Sequence, residues 1–329
     1  MNHREKAEQS FRLPPQHGQL TALREKIAYL WRLLLPRARY PLAGGRGSLS
    51  CRPLFIVGAP RSGTTLLRSM LVAGGEAAIP PEAQVIGKAA RKFRALHFLG
   101  WPDLCRLTLA QFEGSGQFDL WELNLAPLHR TVLEIPSGER SYARLVDEVF
   151  RFYSQTHFPD AHFWGDQSPI HTLYLPWIAA AFPQARYLHL LRDGRDAIAS
   201  AVEKGRTVQY ATERWLASVH RAADLGRRLP GEQFLELRYE QLVSEPEGSL
   251  RRVTDFLQIS YRPVMLDYWR RPTTVEHRRF PSHRGLQRPV FTDSIGRWQE
   301  RLTTEQQRYV SEKIAPELRR FGYLPGYLS

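Results

Sequence analysis

The sequence predicts an α/β protein built around a parallel sheet. Three observations carry that expectation. From Pro53 onward, short apolar runs alternate with longer stretches of helical periodicity, the order expected of βα units. The first run passes through a glycine-containing loop straight into an amphipathic helix. A later run ends in a second turn of the same kind, and the carboxyl edge of an open parallel sheet is where such proteins bind ligands.

Leu54-Phe55-Ile56-Val57 reads as the first strand, followed by a helix over Thr64–Ala73. Arg186–Leu191 and Gln233–Leu237 read as two more strands, with His162-Phe163-Trp164 as a candidate fourth. Helical spacing recurs over Tyr142–Thr156, Leu173–Ala181, Asp196–Lys204, Thr212–Arg228, Ser249–Leu257 and Thr303–Arg319. Between Glu82 and Gly138 no strand pattern is visible and aromatic residues are frequent, which suggests a helical insertion that shapes a pocket. Residues 1–52 read as a basic extension ahead of a main domain over residues 53–329. The extension holds one amphipathic helix, with Leu20, Leu23, Ile27, Leu30, Trp31 and Leu34 on one face, and a linker at Ala43–Ser48. That helix is expected to dock on the main domain, with peripheral contact to anionic lipid as the alternative.

Charge narrows the function classes. The 46 Lys+Arg residues exceed the 33 Asp+Glu by 13, and only six of the bases are lysines. Such an excess suits a polyanionic partner: nucleic acid, a membrane surface or a small phosphorylated ligand. Cys51 and Cys105 have neither metal-ligand nor disulfide-framework spacing, which points to a reducing cytoplasmic setting and no metal. The apolar run from Ile27 to Leu35 is interrupted by Arg32 and is far below the ~20 residues of a spanning helix. Neither signal peptide nor anchor is expected.

Gly58-Ala59-Pro60-Arg61-Ser62-Gly63-Thr64-Thr65 joins the first strand to its helix. Glycines at both ends let backbone amides turn inward, and the helix N-terminus adds its dipole, so the loop is built to cradle an anion. Thr64 stands where a nucleoside triphosphatase carries lysine, which argues against ATP or GTP hydrolysis. Arg61 brings a cation into the loop instead. After the Arg186–Leu191 strand, Arg192-Asp193-Gly194-Arg195-Asp196 leads to Ser200 and, one turn later, Lys204. Arg192, Ser200 and Lys204 are three donors able to converge on one phosphate.

These two loops resemble the sulfotransferases. Pro60–Leu66 is similar to their 5′-phosphosulfate loop, and Leu191–Asp196 with Ser200 to their 3′-phosphate motif, with details nearest the tyrosylprotein-sulfotransferase-like branch and its bacterial relatives. The resemblance extends from about Pro53 to Arg297-Trp298. It implies a P-loop-like three-layer fold, with helices on both faces of a central parallel sheet, and the donor 3′-phosphoadenosine 5′-phosphosulfate. It further implies that Arg61, Ser62, Gly63, Thr64 and Thr65 hold the 5′-phosphosulfate, and that Arg192, Ser200 and Lys204 take the 3′-phosphate. Tyr239 matches a nucleotide-contacting tyrosine, and Arg297 a late basic residue closing over the nucleotide. Glu82, twenty-one residues after Arg61, is the implied base for in-line sulfuryl transfer to a hydroxyl, or less readily an amine, of a small molecule, lipid, glycan or peptide.

One departure concerns Gln167, in Trp164–Pro169, where the family commonly has a lysine that neutralises the bridging oxygen. Glutamine donates a hydrogen bond without charge, and a charge there is typically worth a few kcal/mol. His171 and His189 are alternative bases. The competing functions are a P-loop-related small-molecule kinase, a catalytically weakened nucleotide-binding protein, and nucleic-acid binding through the basic Arg270–Arg288 segment. No nucleic-acid recognition motif accompanies that segment, and a flap over the donor or an acidic acceptor is the more economical account. Acceptor identity and any homodimer stay open at this level.

Overall fold

A computed structural model of the chain describes residues 39–45, 47–270 and 285–325. The helix expected over Leu20–Leu34 and most of the Arg270–Arg288 segment lie outside the described residues. In chain order the elements are β1 (Leu54–Val57), α1 (Thr64–Ala73), β2 (Ala77–Ala78), α2 (Ile86–Ala95), α3 (Trp101–Glu113), α4 (Leu128–Leu133), α5 (Tyr142–His157) and β3 (Phe163–Gln167). There follow α6 (Leu175–Ala181), β4 (Arg186–Leu191), α7 (Gly194–Val202), α8 (Val208–Gly226), β5 (Phe234–Arg238), α9 (Tyr239–Ser244) and α10 (Pro246–Leu257). The described chain closes with α11 (Trp298–Arg301), α12 (Thr304–Lys313) and α13 (Ala315–Arg320).

The five strands run in the order β2-β3-β1-β4-β5, and every neighbouring pair is parallel. β1 is central because all four of its residues are apolar and almost completely buried, as a strand covered on both faces requires. Side chains alternate between the two faces. Phe55 and Val57 join Trp164, Tyr187 and the helices of the insertion in one core, while Leu54 and Ile56 join Leu188, Leu190 and Leu237 against α1, α9 and α10 in another. The result is the three-layer α/β architecture that the sequence predicts.

Local chemistry explains the differences from the sequence expectation. β2 has only two residues, too few for alternation to register. The helix expected over Thr303–Arg319 is two helices, α12 and α13, because Pro316 at the second position of α13 has no amide to continue the ladder. Lys204 falls just beyond the end of α7 rather than within it. The expected insertion is helical: α2, α3 and α4 occupy it.

The segment before β1 is tied to the main fold at several points. Tyr142 and Ala143 donate amides to the Pro41 and Leu42 carbonyls. Asp147 on α5 accepts from both the Ser50 amide and the Ser50 hydroxyl, each at 2.8 Å, and from Trp164 Nε1 at 2.7 Å. Burial raises the Asp147 pKa above its ordinary value, and the bonds from Trp164 and Ser50 pull it partly back. No helix among the described residues is long and apolar enough to cross a membrane.

Replacing Asp147 with alanine strands those donors in the interior. Asp147→Ala is expected to cost about 2–4 kcal/mol. Urea unfolding checks this through a lowered midpoint at unchanged slope.

Candidate active site

The site grows from the carboxyl ends of the strands. β1 delivers Gly58–Thr65, the loop after β2 delivers Glu82, β3 ends on Gln167, β4 leads to Arg192, and β5 leads to Tyr239. In the first loop, Arg61 at φ 70° and Gly63 at φ 90° place left-handed residues on either side of Ser62, the alternation that turns successive amides inward. Gly58 has no room for a Cβ, which would stand 2.7 Å from the Leu190 carbonyl oxygen. Gly63 has none either, because the Tyr239 ring packs directly on it. Neither a side-chain cap nor a first-turn acid occupies the N-terminus of α1, so its dipole faces the loop uncompensated.

Arg192 binds these parts together. Its guanidinium donates to the Arg61 carbonyl at 2.8 Å and to the Ser294 carbonyl at 2.7 Å, and it lies 4.4 Å from the centroid of the Tyr239 ring. The Tyr239 hydroxyl pairs with Ser294 Oγ at 2.6 Å. Arg61 Nε donates to Ser200 Oγ at 3.1 Å. Burial lowers the Arg61 pKa, Arg192 and Arg301 lower it further, and Glu203 and Glu82 act in the opposite sense.

Ten of the residues singled out in the sequence line one cleft of about 570 Å³: Arg61, Gly63, Thr64, Thr65, Glu82, Arg192, Ser200, Lys204, Tyr239 and Arg297. Ser62 and Gln167 do not line it. Ser62 is buried beneath the loop with its hydroxyl unpartnered. Gln167, fully buried at the end of β3, donates Nε2 to Thr64 Oγ1 at 2.9 Å, so it acts on the cleft through Thr64. The alternative bases sit elsewhere. His171 is buried with Nδ1 2.8 Å from Asp166 Oδ2, and His189 is buried in the sheet with Nδ1 2.9 Å from Glu236 Oε2.

Glu82 occupies a rigidly held loop. Trp121 Nε1 donates to the Pro81 carbonyl at 2.9 Å, the Ala83 amide to Asp166 Oδ1 at 3.2 Å, and the Gln84 amide to Ser168 Oγ at 3.1 Å. Gln84 Nε2 also donates to Glu82 Oε2 at 2.9 Å. The carboxylate is therefore aimed by the insertion and β3 together.

Several contributors carried no role in the sequence. Ser294 and Arg301 line the cleft, and Arg301 Nη1 lies 2.8 Å from Glu203 Oε2, also at the cleft. Asp196 accepts from the Gly296 amide at 2.8 Å and the Trp298 amide at 3.0 Å, which fixes the segment bearing Ser294 and Arg297. No spacing rule reaches Ser294 or Arg301, since their partners lie from 55 to 102 residues away. Asp196 was visible within the second loop, but its partners were not.

Residues 53–263 match the model of the Sulfotransferase family. Protein-tyrosine sulfotransferase A of Caenorhabditis elegans is 27% identical over 289 residues, covering 83% of this chain and 67% of that protein. Omega-hydroxy-beta-dihydromenaquinone-9 sulfotransferase Stf3 of Mycobacterium bovis is 24% identical over 318 residues, covering 82% of this chain and 75% of that one. Among solved structures, the sulfotransferase domain of the Synechococcus PCC 7002 olefin synthase shares the fold at a TM-score of 0.54 and 23% identity, covering 80% of this chain and 94% of that domain.

The Asp196 clamp has a direct readout. In Asp196→Ala, amide hydrogen exchange at Gly296 and Trp298 is expected to accelerate by at least about tenfold, with exchange in β1 and β4 unchanged. Equal protection in both proteins would mean that the segment is held by other contacts.

Proposed function

Because this chain belongs to the sulfotransferase family, we propose that it transfers a sulfuryl group from 3′-phosphoadenosine 5′-phosphosulfate to a hydroxyl acceptor, with Glu82 as the base. The observation that carries this is the convergence of two anion-binding loops and one carboxylate on a single cleft. The names of two relatives support a hydroxyl acceptor over an amine, since one acts on protein tyrosine and the other on a hydroxylated menaquinone.

The residues present suit such a donor. Arg192 lines the cleft, and its Nε is a buried polar atom without a hydrogen-bond partner. Among the described residues, six cations line the cleft (Arg61, Arg192, Lys204, Arg288, Arg297 and Arg301) against the carboxylates Glu82 and Glu203. The donor, when bound, supplies an activated sulfur and a phosphate leaving group. Arg61, Gly63, Thr64 and Thr65 with the α1 dipole hold its 5′ end while Ser62 stays buried within the same loop, and Arg192, Ser200 and Lys204 take its 3′-phosphate. Tyr239 and Arg297 flank the nucleotide.

Transfer forms a bond between the acceptor oxygen and sulfur. It breaks the bond from sulfur to the oxygen bridging to phosphate, whose electron pair stays with the phosphate. Glu82 takes the hydroxyl proton as that oxygen attacks. Arg61 stabilises negative charge gathering on the transferring group, the role of a preorganised cation in a site partly closed to water. Gln167 orients the Thr64 hydroxyl rather than supplying charge, and Arg61 with Arg301 offsets the absent lysine.

Three measurements test this. The desulfated product, 3′-phosphoadenosine 5′-phosphate, should raise the melting temperature well above the shift given by ADP or ATP; equal shifts with all three would overturn the donor assignment. Glu82→Gln is expected to lower kcat by about a hundredfold or more while leaving product-nucleotide affinity intact. Arg61→Ala should weaken nucleotide binding and also lower kcat by about a hundredfold.

A further inference from the structure

The chain turns back on itself after α13 and meets the 3′-phosphate loop. Gly322, at φ 71°, makes the turn: its amide donates to the Arg319 carbonyl at 3.0 Å, and the Tyr323 amide donates to the Leu318 carbonyl at 2.7 Å. This pair of bonds is the glycine-dependent motif that ends a helix and redirects the chain. The reversal sets Tyr323 against Arg238, the last residue of β5. Arg238 donates to the Phe321 carbonyl, and its guanidinium lies 4.8 Å from the centroid of the Tyr323 ring.

From there a closed circuit of hydrogen bonds runs through four residues. The Tyr323 hydroxyl donates to Glu240 Oε2 at 2.9 Å, and the Asp193 amide donates to Glu240 Oε1 at 3.0 Å. The Asp193 carboxylate accepts from Arg195 Nε at 3.0 Å and Nη2 at 2.6 Å, and Arg195 Nη2 reaches the Tyr323 carbonyl at 3.4 Å. Burial and the charge on Glu240 raise the Tyr323 pKa, which keeps its hydroxyl protonated as a donor. An acid in a loop meant for phosphate would repel the ligand. Here both carboxylates are taken up within the circuit, and neither Asp193 nor Glu240 lines the cleft.

The placing of those two acids is what matters. Asp193 directly follows Arg192, and Glu240 directly follows Tyr239. Arg192 and Tyr239 both line the cleft, with the guanidinium 4.4 Å from the ring centroid. We infer that Tyr323 is a positioning residue for the donor site: its hydroxyl fixes Glu240, Glu240 fixes the backbone at Asp193, and Arg192 is thereby held ready for the 3′-phosphate. This rests on the donor assignment proposed above. Tyr323 lies outside the residues 53–263 that match the family, so the grip on the 3′-phosphate draws on a part of the chain that the match does not reach.

The test compares 3′-phosphoadenosine 5′-phosphate with AMP, which differs from it only in lacking the 3′-phosphate. Affinities for both are measured by calorimetry, directly or by competition, on the full chain. Tyr323→Phe keeps the ring over which Arg238 lies and removes only the hydroxyl. It is expected to weaken the bisphosphate by about fivefold or more and to leave AMP within about twofold, as loss of part of one charge-assisted bond would do. Glu240→Gln is a second route to the same break and should give the same selective loss. The double variant should be no weaker than the worse single one, because both act through one circuit. An equal loss for the two nucleotides would mark a merely structural role and overturn the inference, as would unchanged preference or additive losses. Should the unsubstituted protein bind both nucleotides alike, the donor assignment falls instead. Exchange of the Asp193 amide then decides the fastening alone: about fivefold faster exchange in Tyr323→Phe supports it, and equal exchange overturns it.

Discussion

One side chain closes the site. Arg192 leaves the end of β4, caps the loop after β1 through the Arg61 carbonyl, reaches the late segment through the Ser294 carbonyl, and lies over the Tyr239 ring that follows β5. Four stretches far apart in sequence meet on one guanidinium. Its planar fork makes this possible, since two divergent donors and a flat face are used at once. Lysine would keep the charge and lose the geometry.

The cost of that arrangement is electrostatic, and the fold spreads its remedy. Arg61 and Arg192 are mutually repulsive, and burial disfavours the charged form of Arg61. Glu203 pairs with Arg301, and Asp196 spends its carboxylate on two backbone amides rather than on a cation. What remains is a cleft in which, among the described residues that line it, cations outnumber acids, a setting that suits an anionic ligand. The overall excess of basic residues is thus only partly about surface attraction; several of them serve one concave site.

The parallel sheet was legible because its strands are short, apolar and separated by helices, and the bounds of β1, β4 and α1 follow directly from their residues. Loop residues were legible where chemistry forces a local pattern: glycine at Gly58 and Gly63, arginine within the turn, hydroxyls at the helix start. Legibility ended where partners are remote. Nothing near Trp121 announces that its indole holds Pro81, and nothing near Asp196 announces Gly296. Gln167 shows the same limit, since the resemblance suggested a place in the cleft and only the register of β3 against β1 puts it under Thr64 instead.

The anchoring of Pro81 by Trp121 bears on how the chain matures. The anion loop needs little beyond β1, α1 and β4, elements joined by direct strand pairing. The loop carrying Glu82 needs the insertion to have folded and docked, because its bond from Trp121 comes from that quarter. Assembly therefore has an order of dependence: a chain whose insertion is still unpacked has the cradle without a fixed carboxylate beside it. The same division sets what sequence drift can reach, for changes within the insertion would move the Glu82 carboxylate while leaving the loop after β1 in place.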